Sequence, residues 1–248
     1  MRIATLYDIH GNLPALEAVL SEVADSGADR VVVGGDVMPG PMPSACLDLL
    51  KALEIPVDFI HGNGEREVLA TLRGEPSTSL PESVQTAIKW TGEHLSPTQR
   101  EFIAMWPSHA RAHAEGLDAV FFCHATPEND TDIFTKDTPD RVLMPLFEDL
   151  NVELAVCGHT HMQFDRTVGE VRLVNSGSVG MPFGDAGAHW ALLGPDVEFR
   201  RTEYDLEAAA DRIRRSDYPG AEAFADHNVL DRPSEEDMLA AFNQRGLS

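Results

Sequence analysis

Asp8 and His10 stand at the end of the first apolar run of the chain, residues 3–7. Residues 31–33 run into Gly34-Gly35-Asp36, and residues 57–60 into His61-Gly62-Asn63-Gly64-Glu65. Residues 119–123 run into His124, and residues 154–157 into Gly158-His159-Thr160-His161. Carboxylate and amide oxygens and imidazole nitrogens are donors that divalent metals take. A lone Asp-x-His or His-x-His pair arises easily by chance. Five apolar runs that each end in such a donor, often beside glycine, form a pattern that chance does not. The seven donors Asp8, His10, Asp36, Asn63, His124, His159 and His161 exceed what one ion takes from a protein. Two ions sharing one carboxylate fit better. Asp36 is the natural bridge, as the lone acid of its loop with a flexible Gly-Gly before it. Two divalent ions ~3.5–4 Å apart can hold a hydroxide between them and clamp a phosphoryl group for in-line attack. Four imidazoles argue against magnesium, which prefers oxygen and water. They favour manganese first, with iron, zinc, cobalt or nickel as alternatives.

Something must bring these donors together. In parallel α/β sheets, ligands bind beyond the carboxyl ends of the strands. The runs at 3–7, 31–33 and 57–60 alternate with amphipathic stretches, as right-handed β-α-β crossovers do. Asn12 is placed to cap the first helix, with Pro14 in its first turn and Leu16, Val19, Leu20 and Val23 on one face. From residue 65 to about 116, helical patterns follow one another without a strand, which predicts a helical cap inserted at about 66–116. Residues 119–123 and 154–157 are again strands, with a helix at 141–150 between them. Residues 164–168 and 171–174 alternate as a hairpin does, and so do 190–193 and 197–202. The tail from Asp205 is expected to be a solvated helical extension, with breaks at Pro219-Gly220 and Pro233. The organisation expected is one domain at 1–204 carrying the cap, then an extension at 205–248.

Composition narrows the function. The chain has 248 residues, 43% of them hydrophobic, enough for a substantial core. With 41 acidic against 19 basic residues, the net charge is −22. Such a surface repels a phosphate backbone and anionic lipid, which excludes general nucleic-acid binding and membrane docking. No apolar run approaches a membrane span. Cys46, Cys123 and Cys157 lie apart in apolar stretches and read as buried free thiols of a reducing cytoplasm. No Gly-x-Gly-x-x-Gly follows the first strand, which removes a nucleotide-cofactor oxidoreductase.

The motifs together resemble the calcineurin-like metallophosphoesterase superfamily, whose pattern is Asp-x-His, Gly-Asp, Gly-Asn-His-Glu/Asp, His and Gly-His-x-His. Here these stand as Asp8-Ile9-His10, Gly35-Asp36, Gly62-Asn63-Gly64-Glu65, His124 and Gly158-His159-Thr160-His161. The stretch Asn175-Ser176-Gly177-Ser178-Val179-Gly180 is similar to the Asn-Pro-Gly-Ser-Val-Gly segment of the small prokaryotic phosphodiesterase branch. The resemblance implies a four-layer α/β/β/α sandwich of two mixed sheets. It implies one ion on Asp8, His10, Asp36 and His161, and another on Asp36, Asn63, His124 and His159. It also implies hydrolysis of phosphomonoesters, phosphodiesters or nucleotide polyphosphates by a metal-bridging hydroxide. Asp36, Asn63 and His10 are assigned to the catalytic step, and Asn12 and His61 to holding a small phosphorylated substrate.

Two positions depart from the pattern. Gly64 stands where many members carry a histidine, and Pro39 replaces the second acid of a Gly-Asp-x-x-Asp. General-acid help is typically worth ~10²–10⁴-fold. Its loss hurts least for leaving groups that are already stable anions, so activated esters or anhydrides are the expected substrates unless His61 or His94 supplies the proton. Gly64 also leaves open a metal-binding scaffold that has lost catalysis. Glu65 is expected to orient a ligand or cap the next helix, and residues 177–180 to form a turn rather than hold a nucleophile.

Overall fold

The computed structural model describes residues 1–247. Strands β1 (Ile3–Leu6), β2 (Arg30–Val33) and β3 (Val57–Phe59) alternate with helices α1 (Leu13–Asp25) and α2 (Pro43–Lys51). The three strands pair in parallel. Helices α3 (Asn63–Leu72), α4 (Glu82–Glu93) and α5 (Pro97–Ala104) follow, then strands β4 (His109–Ala114) and β5 (Leu117–Cys123). Helix α6 (Asp140–Phe147) leads to strands β6 (Leu154–Cys157), β7 (Phe164–Val168), β8 (Val171–Asn175), β9 (Ala188–Leu193) and β10 (Val197–Thr202). Helices α7 (Leu206–Arg214) and α8 (Ala221–Phe224), a π-helical turn at Ala225–Leu230 and helix α9 (Glu235–Arg245) complete the chain.

Two mixed five-stranded sheets result, in the orders β10-β9-β1-β2-β3 and β4-β5-β6-β8-β7. Each keeps three parallel strands; antiparallel pairing extends the first trio on the β1 side only, through β9 and β10, and the second on both sides, through β4 and β7. The period of two along a strand separates the layers. Ile3, Tyr7 and Val32 point inward to meet Val120, Phe122, Val156 and Val174 of the second sheet. Ala4, Leu6, Val31 and Val33 point outward onto α1 and α2 through Leu16, Val19, Leu47 and Leu50. On the far side, Phe121, Ala155 and Leu173 receive Leu143 and Phe147 of α6. The four-layer α/β/β/α arrangement follows. The parallel strands leave their carboxyl ends, and so the predicted donors, along one edge.

Two segments differ from their expected form. Residues 109–114 are a strand rather than part of a helical cap, and pair antiparallel with β5. Their inward positions are Ala110, Ala112 and Ala114, which carry little of the β-branched or aromatic bulk that marks a strand. His109 and His113 lie on this edge strand and not on a helix surface. The segment after Asp205 is not a solvated extension. Ile213, Phe224 and Val229 are buried with Ala209, Ala210 and Ala225, against Met42, Met181 and Tyr204. Burying each such large side chain is worth roughly 1.5–3 kcal/mol. The exposed Arg212–Glu17 pair to α1 adds about 0–1 kcal/mol, so apolar packing holds this segment. Cys46, Cys123 and Cys157 are buried free thiols. No helix among the described residues is long and apolar enough to cross a membrane.

Candidate metal centre

The strand ends leave the sheets through strained backbone. Asp8, His10, Asp36, His159 and His161 all adopt left-handed φ angles between 47° and 65°. Among the described non-glycine residues only Asn151 shares that conformation. Such strain persists where the surroundings over-determine it, and it collects at functional sites. Here the surroundings are hydrogen bonds between loops. The Asp8 amide donates to the Gly35 carbonyl, and the His10 amide to the Asp36 carbonyl. From the other side Ser178 Oγ donates to the Asp8 carbonyl at 2.7 Å, and the Gly180 amide does so at 3.0 Å. Residues 177–180 form an irregular, bent segment rather than a hydrogen-bonded turn, and that segment clamps the first loop.

The imidazoles are turned so that one nitrogen of each faces inward. His124 Nδ1 donates to the Gly34 carbonyl at 2.9 Å, and His161 Nδ1 to the Met181 carbonyl at 2.8 Å. His10 Nδ1 lies 3.3 Å from the Pro39 carbonyl. Fixing Nδ1 on an acceptor leaves Nε2 as the lone-pair donor, the arrangement that metal-ligating histidines use. Asp8 Oδ1 lies 3.3 Å from His161 Nε2 and 3.9 Å from both His10 Nε2 and His124 Nε2. Asp36 Oδ2 is 3.7 Å from His10 Nε2, and its Oδ1 is 3.6 Å from His124 Nε2. Asn63 Oδ1 is 3.1 Å from His124 Nε2. The His159 amide donates to Asp8 Oδ2 at 2.9 Å, and its ring meets that of His124 edge-on, centroids 5.1 Å apart.

Does this donor set fit divalent ions? Asp8 Oδ1 is fully buried and has no hydrogen-bond partner, a costly state unless a cation faces it. His10 Nε2 and His161 Nε2 face each other at 3.3 Å with both Nδ1 atoms on carbonyl oxygens, so two lone pairs converge. The ligand atoms gather into two groups, Asp8 with His10 and His161, and Asp8 with Asp36 and His124. The set fits. Asp8 belongs to both groups, while Asp36 directs one oxygen to each side.

The electrostatics divide the rings: against the effect of burial, the Asp36 and Asp8 charges raise His124 and the Asp8 charge raises His161, while His10 and His159 are lowered. Burial, with the neighbouring His161, holds His10 down at about 3. Burial and His124 hold His159 at about 3 as well. Both rings are therefore neutral nitrogen donors at neutral pH. Burial, reinforced by the Asp8 charge, pushes the Asp36 carboxyl up to about 6 against the pull of His124. Burial and the Asp36 charge push Glu65 up to about 7. Burial also opposes the charge on Asp8, but His161, His124 and His10 outweigh it and hold that carboxyl below its ordinary value.

Glu65 both orients the site and caps a helix. Its Oε2 accepts from the Gly62 amide at 2.8 Å and the Asp36 amide at 2.9 Å, and Oε1 from the Met38 amide at 3.3 Å. This buried carboxylate ties the second loop to the third. Gly64 completes the tie, its amide donating to Asp36 Oδ1 at 2.6 Å. A Cβ on Gly64 would collide with the Met38 carbonyl oxygen, so the backbone of the second loop fills the space of a side chain.

The two expected substrate contacts are used elsewhere. Asn12 is fully buried; Oδ1 accepts from the Ala15 amide, and Nδ2 donates to the Gly180 carbonyl at 2.9 Å and to Tyr204 Oη at 3.4 Å. It is the α1 cap and has no polar atom left for a phosphate. His61 turns its Nε2 to the Ile103 carbonyl at 2.7 Å and its ring edge to Trp106, anchoring α5. His94 is exposed and stacked on Trp90, centroids 3.8 Å apart. None of the three lines the clefts beside the ligands.

Two clefts flank the centre. One, about 400 Å³, has His10, Val84, Ala87, Met181, Tyr218 and Phe224 in its walls. The other, about 490 Å³, has His124 with Arg66, Thr126, Asn129 and Asp130. Phe183 stacks on the His161 ring at 5.3 Å and 19°. Apart from His10 and His124, these wall residues were not singled out from sequence. Tyr218 and Phe224 lie more than 200 residues from Asp8, and no local spacing links them to it.

Residues 1–196 match the family model of the calcineurin-like phosphoesterase superfamily domain. The chain is 29% identical over 206 residues to phosphodiesterase YfcE of Escherichia coli, covering 79% of this chain and 89% of that one. It is 27% identical over 239 residues to an uncharacterized protein of Methanocaldococcus jannaschii, covering 88% and 93%. A metallophosphoesterase from Sphaerobacter thermophilus superposes with TM-score 0.72 at 25% identity, over 94% of this chain and 99% of that one. A hypothetical protein of Pyrococcus horikoshii shares the fold with TM-score 0.80 at 22% identity, over 94% and 99%. The chain belongs to the calcineurin-like phosphoesterase superfamily, in its branch of small prokaryotic metallophosphoesterases, enzymes that hydrolyse phosphoric esters.

Proposed function

We propose that this chain hydrolyses small phosphoric esters, phosphodiesters among them, with two divalent ions held by Asp8, His10, Asp36, Asn63, His124, His159 and His161. The observation that carries this reading is the buried, unpartnered Asp8 Oδ1 with three inward Nε2 atoms around it. Divalent ions there would supply Lewis acidity toward a phosphoryl oxygen and a water of lowered pKa to attack phosphorus. The protein's part is to hold donors. His10 and His159 offer neutral nitrogens, Asp36 directs an oxygen to each side, and Glu65 fixes the Asp36 backbone. Two carboxylates against two divalent cations leave the pocket positive, so a phosphate enters despite the acidic surface.

Gly64 fits an active enzyme as well as a silent one. Its missing side chain is replaced by the Met38 carbonyl, so the loop is built for glycine and is not a damaged version of another loop. With no side chain at 64, and with His61 and His94 committed elsewhere, activated esters and anhydrides are the favoured substrates. The test is turnover of bis(4-nitrophenyl) phosphate by the chain with metals quantified, in a series of added manganese, iron, zinc, cobalt and nickel. Turnover that follows bound metal supports the reading. Bound metal without turnover of this ester or of 4-nitrophenyl phosphate would favour the scaffold.

A further inference from the structure

The cleft on the His10 side stands apart chemically. About a quarter of the chain is Asp, Glu, Lys or Arg, yet none of these lines this cleft. Its walls are Val84 and Ala87 from α4, Met181 after β8, and Tyr218 and Phe224 from the C-terminal segment. Val84 is 37% exposed, one of few large apolar side chains among the described residues left open to solvent. A lone exposed valine needs no explanation. One that faces Met181, Tyr218 and Phe224 across a concave space beside a metal ligand does. Ser83, His227 and Asn228 add polar atoms to the lining.

The walls are braced. Trp90 of α4 meets Tyr218 edge-on at 5.4 Å, and Tyr218 meets Phe224 edge-on at 6.3 Å. The cleft thus exists only because α4 and the C-terminal segment pack together over the same side of the centre. At about 400 Å³ it falls in the range of small-molecule pockets, and its uncharged walls suit an apolar ring.

We infer that this cleft receives one arm of the phosphoric ester, and that the arm is an apolar, ring-bearing group. The inference rests on the phosphoesterase reading above and narrows its substrate class to esters of aryl or arylalkyl alcohols. His10 sets the position. A phosphoryl group held at the ligands would have this cleft beside it, because His10 belongs to a ligand group and to the cleft wall alike. Charged arms would be desolvated there with no Asp, Glu, Lys or Arg side chain to pair with.

Phosphonates test this without a leaving group to confuse the arms. Methylphosphonate, benzylphosphonate and naphthylmethylphosphonate are titrated calorimetrically into the full manganese-loaded chain. Burial of a ring in the cleft should make the naphthylmethyl compound bind about tenfold tighter than the methyl one, or more, with a negative heat-capacity change. Val84→Glu, at a half-open helix position that tolerates the change, should cut that ratio to within about threefold by placing a charge in the ring's seat. Met144→Glu, another exposed apolar position outside both clefts, should leave the ratio intact. A wild-type ratio within about threefold, or a tenfold ratio that survives Val84→Glu, overturns the inference, since the ring then gains nothing from burial. Turnover of bis(4-nitrophenyl) phosphate with flat phosphonate affinities removes this inference alone. Absence of turnover in the metal-loaded chain removes the phosphoesterase reading and this inference with it.

Discussion

On the His10 side the ligands open onto Val84, Ala87, Met181 and Phe224, whereas on the His124 side they open onto Arg66, Thr126, Asn129 and Asp130. The first wall is apolar and comes from α4 and the C-terminal segment. The second is polar and comes from the first turns of α3 and the loop after β5. Its arginine is already engaged: Arg66 makes a two-pronged contact with Asp130 at 2.8 and 2.9 Å, and a third with Glu67 at 2.7 Å. A charge in the wall of a cleft is therefore not a charge on offer. The polar side holds its own pairs, while the apolar side leaves surface uncovered, so selectivity among esters is expected from the His10 side.

The centre between the clefts should be indifferent to that asymmetry. Asp36 directs an oxygen to each side, so Asp36→Asn should disable both ion positions together. The loss in kcat/KM for bis(4-nitrophenyl) phosphate should exceed the about 100-fold typical of changes outside the ligand shell. Bound metal, measured by elemental analysis, should fall as well. A loss below about tenfold would place Asp36 outside the ligand set, among residues whose effect is only to orient.

Glu65→Gln comes next in size. The amide keeps the shape but loses charge, and its nitrogen cannot accept from the Gly62, Asp36 and Met38 amides that the carboxylate now serves. Metal affinity should drop by about 10–100-fold, seen by competition with a chelator. Both ion positions should weaken, because the second loop carries Asp36. Gly64→His does not restore an acid. Its Cβ meets the Met38 carbonyl, so the tie between the loops opens and activity falls. Leaving-group dependence sharpens the comparison. Without a proton donor, kcat/KM should fall steeply as the pKa of the leaving alcohol rises. A flat series would instead point into the His10-side cleft, where His227 lies.

What the sequence made legible has a physical boundary. Asp8, His10, Asp36, His124 and His161 could be brought together from sequence because each stands just past an apolar run, and a parallel sheet turns that adjacency into convergence. Glu65 was readable as a capping or orienting group, three residues after Gly62. Asn12 was readable as a cap, but the carbonyl that takes its Nδ2 is 168 residues away, and no spacing foretells it. His61 pointed to substrate by adjacency, and the Ile103 carbonyl of a distant helix captured it. Strand β4 was hidden because alanines fill its inward positions. The apolar cleft was hidden for the deepest reason: its walls come from segments that meet only after both sheets and the C-terminal packing exist. Local pattern encodes donors; long-range packing encodes the space beside them.

The smallest effect is expected from the residue that looks most like a phosphate clamp. Arg66 lines the His124-side cleft, and an arginine beside a phosphoryl site invites that role. Its guanidinium is engaged by Asp130 and Glu67, and those carboxylates hold its pKa above the ordinary value, the hydrogen bond to Asp130 foremost. Reaching a substrate would mean giving up those pairs, and exposed pairs of this kind are worth about 0–1 kcal/mol in either direction. Arg66→Met keeps the aliphatic stem and removes the charge. Its KM for bis(4-nitrophenyl) phosphate should stay within about fivefold of wild type, as a change of 1 kcal/mol or less requires, with kcat little moved. A larger rise in KM, abolished when Asp130→Asn is made instead, would show that Arg66 swings from Asp130 to the substrate. The polar side would then be the selective one, and the contrast between the two clefts would reverse.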